Sequence, residues 1–107
     1  MEALRQKIAQ MFVVGCQGEA LTREERLIFE QCSFGGFILF GHNCCEPRQI
    51  LSLCQSLWQC ASEEPPFIAI DQEGGRVHRL PPPFTQFPPA AAIGVRTTPG
   101  STEFTRT

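Results

Sequence analysis

The sequence predicts an α/β fold in which a parallel sheet is covered by helices. Three observations carry this. Three short apolar runs, FVVG (12–15), FILF (37–40) and FIAI (67–70), are continuous rather than alternating, the pattern of strands in a parallel sheet. Amphipathic segments of helical period separate them, so the order is helix, strand, helix, strand, helix, strand. Each apolar run ends abruptly in small or polar residues: GCQGE, GHNC and DQEGGR.

The elements follow in order. Leu4, Ile8 and Met11 stand at helical spacing, with Arg5 and Lys7 between them, which predicts a helix over 2–11. FVVG is β-branched and ends in glycine, as a buried strand would. Thr22-Arg23-Glu24-Glu25 has the T-x-x-E form of a capping box. It starts a helix over 23–32 with Leu27, Ile28 and Cys32 as its apolar stripe. Gly35-Gly36 breaks the chain before FILF. Pro47 suits the first position of a third helix. Ile50, Leu51, Leu53, Cys54, Leu57, Trp58 and Ala61 form its wide apolar face. Pro65-Pro66 ends that stretch, and FIAI is the third strand.

After Asp71 the character changes. PPPF (81–84) and FPP (87–89) exclude regular helix and central strand, so a long proline-stiffened loop is expected. The last stretch, VRTTPGSTEFTRT, is polar and aperiodic, and disorder is expected there. Three apolar strands need cover on both faces, so the chain reads as the opening third of a larger α/β fold. A (β/α)8 barrel needs at least about 200 residues.

Composition excludes several roles. Apolar residues at 42% and charged residues at 19% indicate a globular chain rather than a disordered one. A net charge of −2 with interspersed signs gives no footprint for nucleic acid or an anionic membrane. No apolar run approaches the roughly 20 residues of a membrane span. The first residues, MEALRQKIAQMFVVG, lack the layout of a secretory signal, so a cytoplasmic location is expected. Six cysteines are present without C-x-x-C spacing, and a disulfide framework is not expected in that compartment. Cys54 and Cys60 read as small core residues. His42 with Cys44 and Cys45 offers three clustered donors but no fourth, which is weak evidence for a metal.

In parallel α/β folds, sites form at the carboxyl ends of strands. The densest such end is DQEGGRVHRL (71–80), and Asp71 is the only aspartate in the chain. A carboxylate there can accept hydrogen bonds from two adjacent hydroxyls, a geometry suited to sugars. Gly74 and Gly75 permit a tight turn, and Arg76 and Arg79 offer planar forks to carboxylates or ligand oxygens. Phe84 and Phe87 can wall the mouth. A second reading stands beside this one: Asp71, Glu73, Arg76 and Arg79 form a surface ion-pair network that holds the loop. A nucleotide-binding βαβ module is disfavoured, because G-x-G-x-x-G is absent and no helix pattern follows. Asp71 and Glu73 are rejected as a glycosidase pair. Two acids on one loop approach a sugar from one side, whereas retaining pairs flank the bond about 5 Å apart.

IAQMFVVG, GGFILFGHN and FIAIDQEGGRVHRL followed by PFTQFPPAAAIG resemble the N-terminal part of family 3 β-N-acetylhexosaminidases of the bacterial cell-wall-recycling type. The resemblance covers residues 4 to 94, and D-Q-E-G-G-R-V-x-R-L is its most specific piece. The β-glucosidases of the same family differ around this aspartate. The resemblance implies the N-terminal portion of a (β/α)8 barrel over 1–94, followed by a divergent tail over 95–107. It implies hydrolysis of terminal β-linked N-acetylglucosamine by a retaining mechanism without metal or organic cofactor, and a small glycan as partner. By the same resemblance Asp71 and Arg79 bind the sugar, while Glu73, Gly74, Gly75 and Arg76 support the loop. The family's nucleophile is another aspartate late in the barrel, and its proton donor is a histidine in K-H-F-P-G-H-G; this chain has neither. His42 stands where the family often has arginine, and His78 where it often has glutamine. The expectation is therefore a substrate-holding piece, catalytically inactive alone, from a truncated or frame-shifted product. A non-enzymatic βαβ ligand-binding module is the alternative.

Overall fold

A computed structural model describes residues 1–61 and 64–96. Its elements are α1 (Glu2–Ala9), β1 (Val13–Val14), α2 (Arg23–Cys32), β2 (Gly36–Leu39), a 3-10 turn (Gly41–Asn43), α3 (Pro47–Gln59), β3 (Phe67–Ile70) and α4 (Ala90–Arg96). The three strands form one parallel sheet in the order β1-β2-β3. Sequential neighbours that pair in parallel are the wall pattern of a barrel.

Local chemistry explains where the helices begin. The Thr22 hydroxyl accepts from the Glu25 amide at 3.0 Å, and the Glu25 carboxylate accepts from the Thr22 amide at 2.9 Å. This is the reciprocal cap that T-x-x-E predicts. Helix α3 starts at Pro47, with the Glu46 side chain accepting from the Gln49 amide at 2.7 Å. Strand β2 ends one residue earlier than expected because the Phe40 amide donates to Asn43 Oδ1 at 2.9 Å instead of continuing the ladder.

Register sorts the strand residues into two faces. Val14, Phe37 and Ile68 are aligned, and Leu39 is aligned with Ile70. These side chains belong to the core or pack against it, together with Phe29 of α2 and Leu53 and Leu57 of α3. Phe29 sits with its ring centroid 4.9 Å from that of Phe37. The opposite face carries Val13, Gly36 and Phe67 in one row and Ile38 and Ala69 in the next. Val13 is 55% and Phe67 80% exposed there.

Several expected apolar stripes are therefore only partly used. Leu4, Ile8 and Met11 of the first segment are exposed, and Ala9 is the buried residue of α1. On α2 the stripe of Leu27, Ile28 and Cys32 gives way to Phe29, since Leu27 and Ile28 are exposed. On α3, Leu53 and Leu57 are buried while Leu51 and Trp58 face outward. Periodicity marks a side chain's angle on its helix, but only the neighbouring element decides whether that angle meets a partner.

Helix α4 begins directly after the proline-rich loop, in a stretch where the sequence predicts no helix, and it takes in Val95 and Arg96, the first residues of the tail expected to be disordered. Its alanines carry no amphipathic period, yet alanine has the highest helix propensity, and the prolines before it suit a helix start. The Ala92 amide donates to the Pro89 carbonyl at 2.9 Å. The boundary expected at Gly94 thus falls inside a helix that reaches Arg96. The expected disorder of the remaining tail concerns residues 97–107, which lie outside the described residues.

Candidate functional site

The carboxyl ends of the three strands meet at one rim, and polar side chains hold that rim in shape. Asn43 is fully buried. Its Nδ2 donates to the Cys16 carbonyl at 3.1 Å and the Gly18 carbonyl at 2.7 Å, both in the loop after β1. Gln49 donates from Nε2 to the Glu19 and Asn43 carbonyls, each at 2.7 Å. Glu25 accepts from the Gln17 amide at 2.9 Å through the carboxylate oxygen its cap leaves free. The loops after β1 and β2 are thereby fixed to each other and to the starts of α2 and α3. His42 lies against the Cys16 carbonyl at 3.3 Å and stacks on Phe40 with ring centroids 6.0 Å apart.

The loop after β3 is built differently. Residues 73–77 form a tight turn, in which the Val77 carbonyl accepts from the Glu73 and Gly74 amides at 2.8 and 3.1 Å. Gly74 has φ +84°, and a Cβ there would collide with the Pro88 carbonyl oxygen. Gly75 has φ +62° and packs on the Pro89 ring. Gly74 excludes a side chain by conformation and by space, and at Gly75 the positive φ disfavours one. Gln72 Oε1 accepts from the Arg79 amide at 2.8 Å and the Leu80 amide at 3.3 Å, which folds the far limb of the loop back over its start.

This geometry bears on the four charged residues. Asp71, at the end of β3, is exposed, and its carboxylate has no hydrogen bond or ion pair among the described residues. Among those residues no ion pair joins Asp71 or Glu73 to Arg76 or Arg79, so a charge network does not hold the loop. Hydrogen bonds from Gln72 and the turn hold it instead. Arg79 is half-buried, and its Nε is buried without a hydrogen-bond partner among the described residues. A buried guanidinium N–H left unpaired is costly and is a ready donor to a ligand oxygen. Phe84 is half-buried and Phe87 exposed, and the Phe87 carbonyl accepts from the Gly75 amide at 3.0 Å.

The thiols behind the rim are inert. Burial first, and then the Glu25 carboxylate, pushes the Cys16 thiol up to about 11. Burial also raises Cys44, Cys54 and Cys60. They stay protonated at neutral pH and are poor nucleophiles. Cys44 is buried and Cys45 exposed, so the adjacent thiols do not share surroundings. Among the described residues no three His, Cys, Asp or Glu side chains gather as a metal site. A larger groove lies between α1 and α2, lined by Ile8, Ala9, Phe12, Cys32 and Phe34. Phe12 and Phe34 precede β1 and β2, so this groove opens at the opposite end of the strands, which in barrels serves stability rather than chemistry.

Comparison with known proteins decides the family. The model of the glycosyl hydrolase family 3 N-terminal domain matches residues 3–104. The chain belongs to glycosyl hydrolase family 3. It is 42% identical over 73 residues to a β-hexosaminidase of Vibrio cholerae, covering 68% of this chain and 22% of that protein. It is 43% identical over 76 residues to one from Photobacterium profundum, covering 71% and 22%. Among solved structures, the family 3 β-N-acetylglucosaminidase from Paenibacillus superposes with a TM-score of 0.78 at 37% identity, over 85% of this chain and 18% of that one. NagZ from Neisseria gonorrhoeae, in complex with N-trifluoroacetyl-D-glucosamine, superposes with a TM-score of 0.71 at 31% identity, over 78% and 24%. The chain therefore spans about a fifth of the length of the curated relatives it matches. As a family 3 segment, its sheet is the beginning of a (β/α)8 barrel. Helices ring the outside of such a barrel, so the face covered by α2 and α3 is the outer one. The face bearing Phe67 and Val13 is the wall of the interior.

Sequence reasoning singles out the charged residues of the loop and misses the amides that shape the rim. Asn43, Gln49 and Gln72 are uncharged, and their bonds reach beyond the local turn: Asn43 to Cys16 and Gly18, Gln49 to Glu19, and Gln72 across its loop to Arg79 and Leu80. The presence of Gln72 between two acids, in the most specific part of the motif, is the one signal the sequence offers.

Proposed function

We propose that this segment supplies the substrate-holding part of a β-N-acetylhexosaminidase whose intact form hydrolyses terminal β-linked N-acetylglucosamine. Asp71 accepts hydrogen bonds from adjacent sugar hydroxyls, and Arg79 donates to a ligand oxygen. Glu73, Gly74, Gly75 and Arg76 form the supporting turn. The observation that carries this reading is the pairing of a partnerless carboxylate with a buried, unpaired guanidinium Nε on one strand-end loop, both judged among the described residues. The names of the relatives, and the N-trifluoroacetyl-D-glucosamine in complex with the Neisseria NagZ, support the substrate class. Binding of this kind accelerates the reaction where it strengthens in the transition state. The wider role we infer is peptidoglycan recycling in the cytoplasm; six free cysteines support a reducing compartment.

Alone, the 107-residue chain hydrolyses nothing. Its single aspartate is the one at the sugar-binding position, and K-H-F-P-G-H-G is absent. The test is a graft in which residues 1–94 replace the corresponding segment of the Vibrio cholerae β-hexosaminidase. The graft should cleave a chromogenic N-acetylglucosaminide. Asp71→Ala should lower kcat/KM about a hundredfold, as expected for losing two charge-assisted hydrogen bonds. Unchanged kinetics in that variant would remove Asp71 from the binding assignment, and clear turnover by the ungrafted chain would overturn the division of labour.

A further inference from the structure

The amide of Gln72 is oriented without ambiguity. One of its two terminal atoms receives backbone N–H groups from both Arg79, at 2.8 Å, and Leu80, at 3.3 Å. Only the oxygen accepts, so the other atom is the nitrogen and must donate. That nitrogen lies 2.9 Å from His78 Nε2. His78 Nε2 therefore accepts when the ring is neutral, and the ring's proton sits on Nδ1. The same Nε2 lies 3.3 Å from the Thr85 carbonyl oxygen, which can only accept.

These two contacts exclude each other. In the neutral ring, Nε2 bonds Gln72, and Thr85 receives nothing from it. In the protonated ring, Nε2–H donates to Thr85, and the Gln72 nitrogen faces another donor. The groups facing this nitrogen are uncharged. The charged side chains of the same loop are Asp71, Glu73, Arg76 and Arg79, and among the described residues no carboxylate pairs with the ring. Histidine changes charge between about pH 5 and 8. One proton thus selects which limb of the loop His78 holds.

We propose that Gln72 is the positioning residue for Arg79, and that the protonation state of His78 sets whether Gln72 keeps its place. Neutral His78 anchors the Gln72 nitrogen, which steadies the oxygen that fixes the Arg79 and Leu80 amides. Protonation withdraws that anchor and ties His78 to Thr85. The functional consequence rests on the reading of Arg79 as a sugar-binding residue; the coupling itself does not. Sugar affinity then falls on acidification by roughly three- to tenfold, the worth of one net hydrogen bond.

The experiment is a pH titration of the 15N-labelled full chain by NMR. Only His42 and His78 contribute imidazole signals, which makes assignment direct. The Arg79 and Leu80 amide shifts should follow the His78 titration with the same midpoint, and the neutral ring should be the Nδ1–H tautomer. His78→Gln keeps an acceptor but no proton switch, so those amides should stop responding between pH 8 and 5. Gln72→Glu keeps oxygens for the two amides but favours a protonated ring, so the midpoint should rise. Arg79 and Leu80 amides that ignore the His78 titration would overturn the proposal. So would an Nε2–H neutral tautomer, or random-coil shifts for this loop at both pH values. The sugar reading is separated by the graft. If the amides follow His78 while Asp71→Ala and Arg79→Ala leave kcat/KM unchanged, the coupling stands and the sugar assignment fails. If those variants lose activity while the amides ignore His78, the sugar assignment stands and the coupling fails.

Discussion

The two faces of one three-stranded sheet meet very different fates in this molecule. On the outer face, Phe37 and Leu39 are 2% and 3% exposed beneath α2 and α3. On the inner face, Phe67 is 80% exposed although its neighbours along the strand are equally apolar. Strand composition alone would bury both faces. The difference shows that the outer layer is completed by helices within this chain, whereas the inner layer needs side chains from other strands of the barrel. The rim residues Asp71 and Arg79 lie at the end of the strand whose inner face is barest.

Substitutions should expose this contrast, beginning with the largest effect. Leu57→Ala on the covered side should cost about 2–5 kcal/mol in urea unfolding, the range for a fully buried leucine. An effect below about 1 kcal/mol would mean that the outer core is loose. Asn43→Ala strips bonds from Phe40, Cys16 and Gly18, and should cost about 2–3 kcal/mol because buried polar groups are left unpaired. It should also broaden amide signals in the loops after both β1 and β2.

Alkaline pH tests the same covered side. The Cys16 thiol rises from an ordinary 9.0 to about 11 on folding. The folded state therefore holds that proton more tightly than the unfolded state. The associated stability is complete below pH 9 and is lost as pH climbs towards 11. A Cys16→Ala variant should show a flatter stability profile across that window. Thr22→Ala, which removes one half of the α2 cap, should cost about 1 kcal/mol. Phe67→Ser on the bare face should change stability by less than about 0.5 kcal/mol, as exposed sites do. In the graft, where the interior is closed, the same change should cost several kcal/mol.

How much of this is legible in the sequence depends on how far each residue's partner lies. The Thr22–Glu25 cap and the Pro47 start are local, and the sequence predicts both correctly. The three strands are legible because continuous apolar runs are rare outside buried sheets. Which apolar residue becomes core is not: Phe29 is chosen over Leu27 and Ile28 because β2 presents Phe37 to it. The charged loop draws notice through Asp71, yet what shapes the rim is Asn43, whose partner Cys16 is 27 positions away. Gln72 reaches forward to Arg79 and His78. Asn43 closes the 3-10 turn after β2 and Gln72 lies in the loop after β3, and no pattern along the chain announces the bonds they make beyond those turns. The alanines of α4 form a helix through propensity alone, without a stripe to mark it.

The contrast between the faces is tested most directly by solvent accessibility measured side chain by side chain. A soluble paramagnetic probe, added to the chain with labelled phenylalanine, should strongly broaden the ring signals of Phe67 and leave those of Phe37 and Phe29 sharp. Equal protection of Phe67 and Phe37 would contradict the account, because the inner face would then already be covered and the sheet would not be an open barrel wall.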